Sequence, residues 1–285
     1  MFESYRGQLE GVAYRILGSI EDAQDVAQET WIQWNRQESG TIHSERSWLL
    51  TVCSRLALDR LKSSQRRRER YVGPWLPEPW LVDERSPAER VSIDESLMMA
   101  MMLVMDALSP VERACFLLHD VFDISFDEIG LSLEKDSATC RKAASRAREK
   151  LRRNRPRFEQ SADAYEAVAD TFFDAIKNAD VSRIESLLAN DVRLIADSDG
   201  KASATKKVLT NPGVIVSLLL SVYGRAARQK MPLVRSTQWF SGAPGSVFYL
   251  KNQPVAAYQL AIREGKIHGI YVIRNPDKLR FFDPL

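Results

Sequence analysis

Residues 124–152 read ISFDEIGLSLEKDSATCRKAASRAREKLR, and they contain two helix starts separated by one short turn. Ser125 is followed three positions later by Glu128, so each side chain can take a backbone N–H that the first turn of a helix leaves without a partner. Asp136 can cap a second helix in the same way. The pattern predicts a short helix at 125–132, a tight connection and a longer helix at 136–153, the spacing of a helix-turn-helix. On the second helix Cys140, Ala143, Ala144, Ala147 and Leu151 recur with helical period and form an inner face small enough for close packing. Its outer face carries Lys142, Ser145, Arg146 and Glu149, flanked by Arg141 and Arg148. Such a helix suits a DNA major groove, with basic groups on phosphates and short polar groups at base edges. An ordinary helical hairpin would explain the period, but not the basic excess on the exposed side.

Working outward, the chain upstream is all helical: helices are expected at 2–17, 21–35, 46–66, 92–107 and 110–121. Ser109-Pro110-Val111-Glu112 is a second capping box, with proline at the first helical position. On the helix at 21–35 the period places Ala23, Ala27, Trp31 and Trp34 on one side. Asp22, Asp25 and Glu29 gather on the other, near Val26 and Thr30. That is either a core face with a wet face, or an acidic docking surface for a basic partner. On the helix at 46–66, Leu49, Val52, Cys53 and Leu56 form the apolar side. The opposite face aligns Trp48, Thr51, Arg55, Asp59 and Lys62, and Arg66, Arg67 and Arg68 follow. An aromatic ring on a cationic face suits stacking on unpaired bases with phosphates alongside. Burial of Trp48 against a neighbouring helix explains it equally well.

Charge is segregated along the chain. Residues 1–34 hold six acids and two bases, 60–70 six bases against Glu69, and 141–157 nine bases against Glu149. The formal net charge of +2 conceals this, and separate faces imply separate partners. Between the helical stretches lies YVGPWLPEPW, residues 71–80. Pro74, Pro77 and Pro79 exclude a regular helix, while Tyr71, Trp75, Leu76 and Trp80 are too apolar for a solvated connector.

After RRNRPRFEQSA the character changes. Helices are expected at 163–178, 181–189 and 212–227, then strands in VFYL, VAAYQLAI and IHGIYVI, joined by hairpin turns at KNQP and REGK. This half is α+β, with helices first and a meander last. The expected organisation is residues 1–70, a linker at 71–91, residues 92–155 and a C-terminal domain at 163–285. Hydrophobic and charged fractions of 45% and 27% are those of a soluble protein, and no segment reaches the roughly 20 apolar residues of a membrane helix. Three dispersed cysteines, Cys53, Cys115 and Cys140, argue against a zinc or disulfide framework and for the cytoplasm.

The order of acidic helix, cationic aromatic helix, linker and helix-turn-helix resembles a sigma factor of the extracytoplasmic-function class in the sigma-70 family. DAQDVAQETWIQW is similar to the helix by which that family docks on the clamp coiled coil of RNA polymerase core. The resemblance assigns core binding to Asp22, Asp25, Val26, Gln28 and Glu29. RSWLLTVCSRLALDRLKS is similar to the segment that melts and reads the −10 element, which assigns that role to Trp48, Arg55, Asp59, Lys62, Arg66 and Arg67. Arg55 stands where the family commonly has Asn. The helix-turn-helix is similar to the −35-reading module, with Thr139, Arg141, Lys142, Ser145, Arg146 and Arg148 as its DNA contacts; Glu134 occupies the usual turn glycine. The implied partners are polymerase core, through its clamp and flap elements, and promoter DNA, with no cofactor and no membrane.

WLPEP, CRKAASRAR and NPDKL are further similar to the subgroup with a fused SnoaL-like, cone-shaped domain. There the linker and the fused domain are expected to regulate in cis, through Trp75, Leu76, Pro77, Glu78 and Pro79, the loop Asp197, Asp199, Gly200 and Lys201, and Asn275, Pro276, Asp277 and Lys278. The subgroup's DGGGK loop is here DSDGK, with two of three glycines replaced. Lys201 and Lys278 are expected to meet the acidic first module. Cone folds include enzymes, and His268, Asp197 and Asp199 are the catalytic candidates, with Trp239, Tyr249, Tyr258 and Tyr271 as cavity walls; catalysis is not expected, though a small ligand of this domain stays open. The rival reading is a ligand-responsive DNA-binding regulator that never joins polymerase.

Overall fold

A computed structural model describes residues 3–37, 44–68, 70–81, 102–103, 105, 107–154, 162–229 and 232–285. They form two compact units, one within residues 1–70 and 101–155, the other within 71–82 and 156–285.

The first unit is all α. Helix α1 (Glu3–Leu17) packs against α2 (Ile20–Trp34) and α3 (Glu45–Arg68). Ser19 caps α2 by accepting from the Asp22 N–H. Helix α4 (Pro110–Phe116) runs into one π-helical turn at Leu117–Val121. Helices α5 (Phe126–Leu133) and α6 (Ser137–Asn154) follow. Both serine-glutamate capping boxes form, at Ser109 and Ser125, and Asp136 accepts from the Thr139 N–H at 2.7 Å. The core takes Leu9, Val12 and Ile16 from α1, Ala23, Val26 and Ala27 from α2, and Leu49, Cys53, Ala57 and Leu61 from α3. Burial pushes the Cys53 thiol up to about 12, making it an inert core group. The helix expected at 92–107 lies largely outside the described residues.

The second unit is α+β. Helices α7 (Ala162–Lys177) and α8 (Val181–Leu187) precede β1 (Leu188–Asp197), and α9 (Pro212–Arg228) leads to the meander β2 (Leu233–Phe240), β3 (Ala243–Leu250), β4 (Gln253–Arg263) and β5 (Lys266–Ile273). A last turn, α10 (Pro276–Leu279), is capped by Asn275. The sheet order is β1-β5-β4-β3-β2, antiparallel except for β1 on β5, which is parallel. Each hairpin turns on two consecutive residues of positive φ: Ser241-Gly242, Lys251-Asn252 and Glu264-Gly265. Such pairs match the twist of the flanking strands. The two turns expected at KNQP and REGK are therefore present. Tyr165, Phe172 and Phe173 of α7 and Ile215 and Leu219 of α9 bury against Phe248, Tyr258 and Ile270 of the sheet. This is the architecture expected of the C-terminal half, with two strands added. The segment 71–81 packs with this unit rather than standing apart as a connector.

Candidate functional site

On the helix-turn-helix, Cys140, Ala143, Ala144, Ala147 and Leu151 are buried as the period predicts. Thr139, Arg141, Lys142, Ser145, Arg146 and Arg148 all lie on the exposed side. They are not equivalent. The Thr139 hydroxyl donates to Asp136 at 2.6 Å, so it serves the helix cap. Its bond, with that from the Thr139 N–H, holds the Asp136 carboxyl below its usual range. Arg148 donates to Asp120 at 2.8 Å, and Arg141 lies over the Phe126 ring at 5.6 Å. Lys142, Ser145 and Arg146 present the outward surface. The turn keeps its left-handed residue although the glycine is gone: Glu134 adopts φ 53° and ψ 46° and closes α5 with its N–H on the Gly130 carbonyl. Gly130 is required by space, because a Cβ there would sit 2.7 Å from the Lys135 carbonyl oxygen.

Helix α2 exposes Asp25, Gln28 and Glu29. Val26 is fully buried and Asp22 nearly so, which corrects their expected place on a docking surface. The inward stripe is Ala23, Val26, Ala27 and Thr30, and Trp31 lies outward at 37% exposure. The stripe is thus rotated from the one expected, because α1 and α3 pack on α2 from the side of Val26 and Thr30. Asp22 and Asp25 both accept from Arg60 of α3, at 2.8 and 2.5 Å.

On α3, Arg55 and Asp59 are exposed, and Trp48 is half-buried with its ring centroid 5.4 Å from that of Trp34, edge-on. Trp48 is therefore both part of an aromatic pair and partly accessible. The side chains of Lys62, Arg66 and Arg67 lie outside the described residues. Thr51, expected on the same wet face, is buried: its carbonyl accepts from the Ser132 hydroxyl of α5 at 3.0 Å. Arg46 reaches the Phe122 carbonyl at 3.0 Å, and buried Arg113 reaches the Ile16 carbonyl at 2.8 Å. Hydrogen bonds from Ser125 first and Ser47 of α3 second hold the Glu128 carboxyl below its usual range. Within this unit the helix-turn-helix is thus fastened along α3.

The third constellation lies wholly in the second unit. Asp197, at the end of β1, is 0% exposed. One of its carboxylate oxygens accepts from the Tyr71 hydroxyl; the other accepts from the Leu76 N–H at 2.7 Å and the Lys278 ammonium at 2.7 Å. Lys278, itself 4% exposed, also donates to the Leu76 carbonyl and stands 4.5 Å from the centre of the Trp75 ring. Asn275 donates to the Tyr71 oxygen at 2.8 Å, and the Val72 N–H donates to Asp199 at 3.2 Å. Further along, Trp80 and Ser241 exchange two hydrogen bonds, at 3.1 and 2.7 Å. Leu76, Pro77 and Pro79 are buried, and Trp75 and Glu78 half-buried. Burial, reinforced by the Asp197 charge, pushes the Tyr71 hydroxyl pKa well up, so Tyr71 stays the donor.

Two expectations change here. Lys278 is buried against Asp197, and Lys201 is exposed but pairs with Asp277 and, at 3.5 Å, Asp199. Both lysines thus have partners inside their own domain, Lys278 in its interior and Lys201 at its surface. In the DSDGK loop Asp199 takes φ 48° and Gly200 φ 69°, and Asp tolerates that region better than most residues. The catalytic candidates are spent in structure: Asp197 and Asp199 hold the segment 71–76, and His268 faces Asp191 at 2.7 Å. Of the expected cavity walls Tyr258 lines a cavity of about 220 Å³ beside α9, with no carboxylate or histidine in its lining among the described residues.

Residues 1–67 match the family Sigma-70 region 2, and residues 98–151 match Sigma-70, region 4. The chain is 34% identical to ECF RNA polymerase sigma factor SigJ of Mycobacterium tuberculosis, over 97% of this chain and 91% of that protein. It is 29% identical to Probable ECF RNA polymerase sigma factor SigI of the same species, over 100% and 94%. The crystal structure of the M. tuberculosis SigJ is similar to this one with a TM-score of 0.76 and 31% identity, covering 98% of this chain and 97% of that one.

Proposed function

This chain belongs to the extracytoplasmic-function RNA polymerase sigma factors, and from that premise we propose how its parts divide promoter-specific initiation among them. Asp25, Gln28 and Glu29 form the surface of α2 that meets the clamp coiled coil of polymerase core, with Asp22 and Val26 holding that helix in place. Trp48, Arg55 and Asp59, with Lys62, Arg66 and Arg67 on the last turns of α3, meet the melted −10 element. Lys142, Ser145 and Arg146 read the −35 element from the major groove, with Arg141, Arg148 and Thr139 at its margins. The bonds from α5 and α4 to α3 and α1 hold the two readers together, so they must part before spaced promoter elements can be bound. The chain acts in the cytoplasm, where polymerase is.

The C-terminal domain regulates this in cis, by holding the linker. The observation that carries the reading is Asp197: a fully buried carboxylate whose oxygens are occupied by Tyr71 and Leu76 of the linker and by Lys278. A buried charge is stable only when so paired, and therefore the linker is either docked whole or released whole. Asp197→Ala tests it: hydrogen exchange of the 71–80 amides should rise, and transcription with polymerase core should change. Faster exchange with unchanged transcription would refute regulation through the linker. Core binding is tested separately by Gln28→Arg with Glu29→Arg, two exposed positions, in a pull-down of core by the full chain.

A further inference from the structure

The cavity of about 220 Å³ lies between α9 and the sheet, walled by Tyr223, Leu233, Phe248, Val255 and Tyr258. A second hollow of about 530 Å³ shares Tyr223, Ala226, Leu233 and Phe248 with it. A cavity of about 150 Å³ already takes benzene, so there is room for a ring system with a substituent. The walls are mostly aromatic and aliphatic, with Ser203, Arg225, Gln229 and Arg274 among them, and two of their polar atoms are buried. Tyr223 Oη and Arg274 Nε are withdrawn from solvent and have no hydrogen-bond partner among the described residues. Leaving such donors unmet is costly in a folded chain, and two on one cavity ask for a shared acceptor.

The electrostatics select the acceptor. Arg274 brings a guanidinium to the wall, and its Nη1 donates to the Ser203 carbonyl at 3.2 Å, which steadies it. Burial pushes the Tyr223 and Tyr258 hydroxyls up, so both remain donors; the Arg274 charge, on the same cavity wall, acts against that shift at Tyr258. With no carboxylate or histidine in the lining among the described residues, the cavity is positive and favours an anion. We propose that this cavity binds a small aromatic carboxylate, its ring among Tyr223, Phe248 and Tyr258 and its oxygens accepting from Arg274 Nε–H and Tyr223 Oη–H. The inference does not depend on regulation through the linker, since both anchors are side chains of the cone itself.

The test is calorimetric titration of the full-length protein with 2-naphthoate, salicylate and benzoate, and with 2-naphthamide as the uncharged counterpart. At least one acid should saturate a single site per chain, and the amide should bind more weakly. Arg274→Lys, which keeps the charge and loses the Nε–H, should weaken binding roughly tenfold or more. Tyr223→Phe should weaken it about threefold to tenfold, and Ala226→Phe, which fills the space, should abolish it. Circular dichroism and melting verify each variant; if Arg274→Lys melts early, the other two decide. Failure of all three acids to saturate below about 1 mM overturns the proposal. So does unaltered binding by Tyr223→Phe and Ala226→Phe, or amide binding as tight as that of 2-naphthoate.

Discussion

The Lys278 ammonium stands 2.7 Å from a carboxylate oxygen of Asp197, with side-chain exposures of 6% and 0%. Removing one partner of such a pair strands the other. Asp197→Ala and Lys278→Met should each destabilise the C-terminal unit by about 3–5 kcal/mol, and the double variant by less than the sum. Urea unfolding of the four proteins checks the cycle; additivity would mean that the pair is not coupled.

Arg146 and Arg148 point outward from the same helix but should behave differently on DNA. Arg146→Ala should lower the slope of log binding constant against log salt by about one, as expected for one lost phosphate contact. Arg148 is held by Asp120, and its removal should change the slope by less. Promoter-binding titrations across salt concentrations separate the two.

Trp48 pairs edge-on with Trp34 and stays half-buried. Trp48→Ala should cost about 1–2 kcal/mol, less than the roughly 3–5 of a fully buried tryptophan. With the fold kept, permanganate reactivity of the −10 thymines in a reconstituted initiation complex should fall. A larger loss of stability with normal melting would make Trp48 a core residue alone.

Tyr71 gives the linker an alkaline limit. Its folded pKa is raised, by burial first and by Asp197 second. The stability it contributes is therefore complete below its unfolded value near 10 and declines as pH rises from there towards the folded value. Emission from Trp75 and Trp80 should report undocking in that window. Tyr71→Phe should flatten this dependence, leaving what the other buried tyrosines of the unit contribute.

Glu134 occupies a left-handed position that costs an L-residue about 1–2 kcal/mol and glycine almost nothing. Part of that advantage is lost to the greater entropy of unfolded glycine, so Glu134→Gly should stabilise the helical unit by about 0.5–1 kcal/mol. Thermal unfolding measures it, and a destabilised variant would mean that the Glu134 side chain contributes more than its backbone costs.

Where capping and period agree, the helices were legible from residues alone: Ser109, Ser125 and Asp136 mark starts found within a residue or two. Helix faces were less so. On α2 the wheel put Trp31 inward, but Thr30 goes in instead, because its hydroxyl can be satisfied by the Val26 carbonyl at 2.8 Å. Two strands escaped notice for different reasons. In β1 the register shifts between Leu188 and Arg193, which breaks the alternation a strand should show. In β2 Arg235 and Thr237 face Asp170 and Glu166 of α7, so polar residues stand where a strand signal expects apolar ones. The motif resemblance brought Asp197, Asn275 and Lys278 to notice. That they close on Tyr71 was not legible, because the bonds span over 120 residues of sequence. Arg274 and Tyr223 had no sequence signal at all: nothing local distinguishes an arginine whose Nε goes unmet from any other.

The linker's membership of the C-terminal unit changes what it means to cut this protein in two. A fragment ending near residue 160 keeps the proline-rich segment and loses everything that covers Leu76, Pro77 and Pro79. It would carry an uncovered apolar segment between its helical stretches, prone to self-association and ready to capture any passing apolar surface, and its behaviour would report that segment as much as freedom from restraint. No single cut separates the two units, because residues 71–82 belong to the second while 101–155 belong to the first. A synthetic peptide of residues 71–81 then becomes a soluble competitor, able to fill the groove on an isolated C-terminal domain and to displace the protein's own strap.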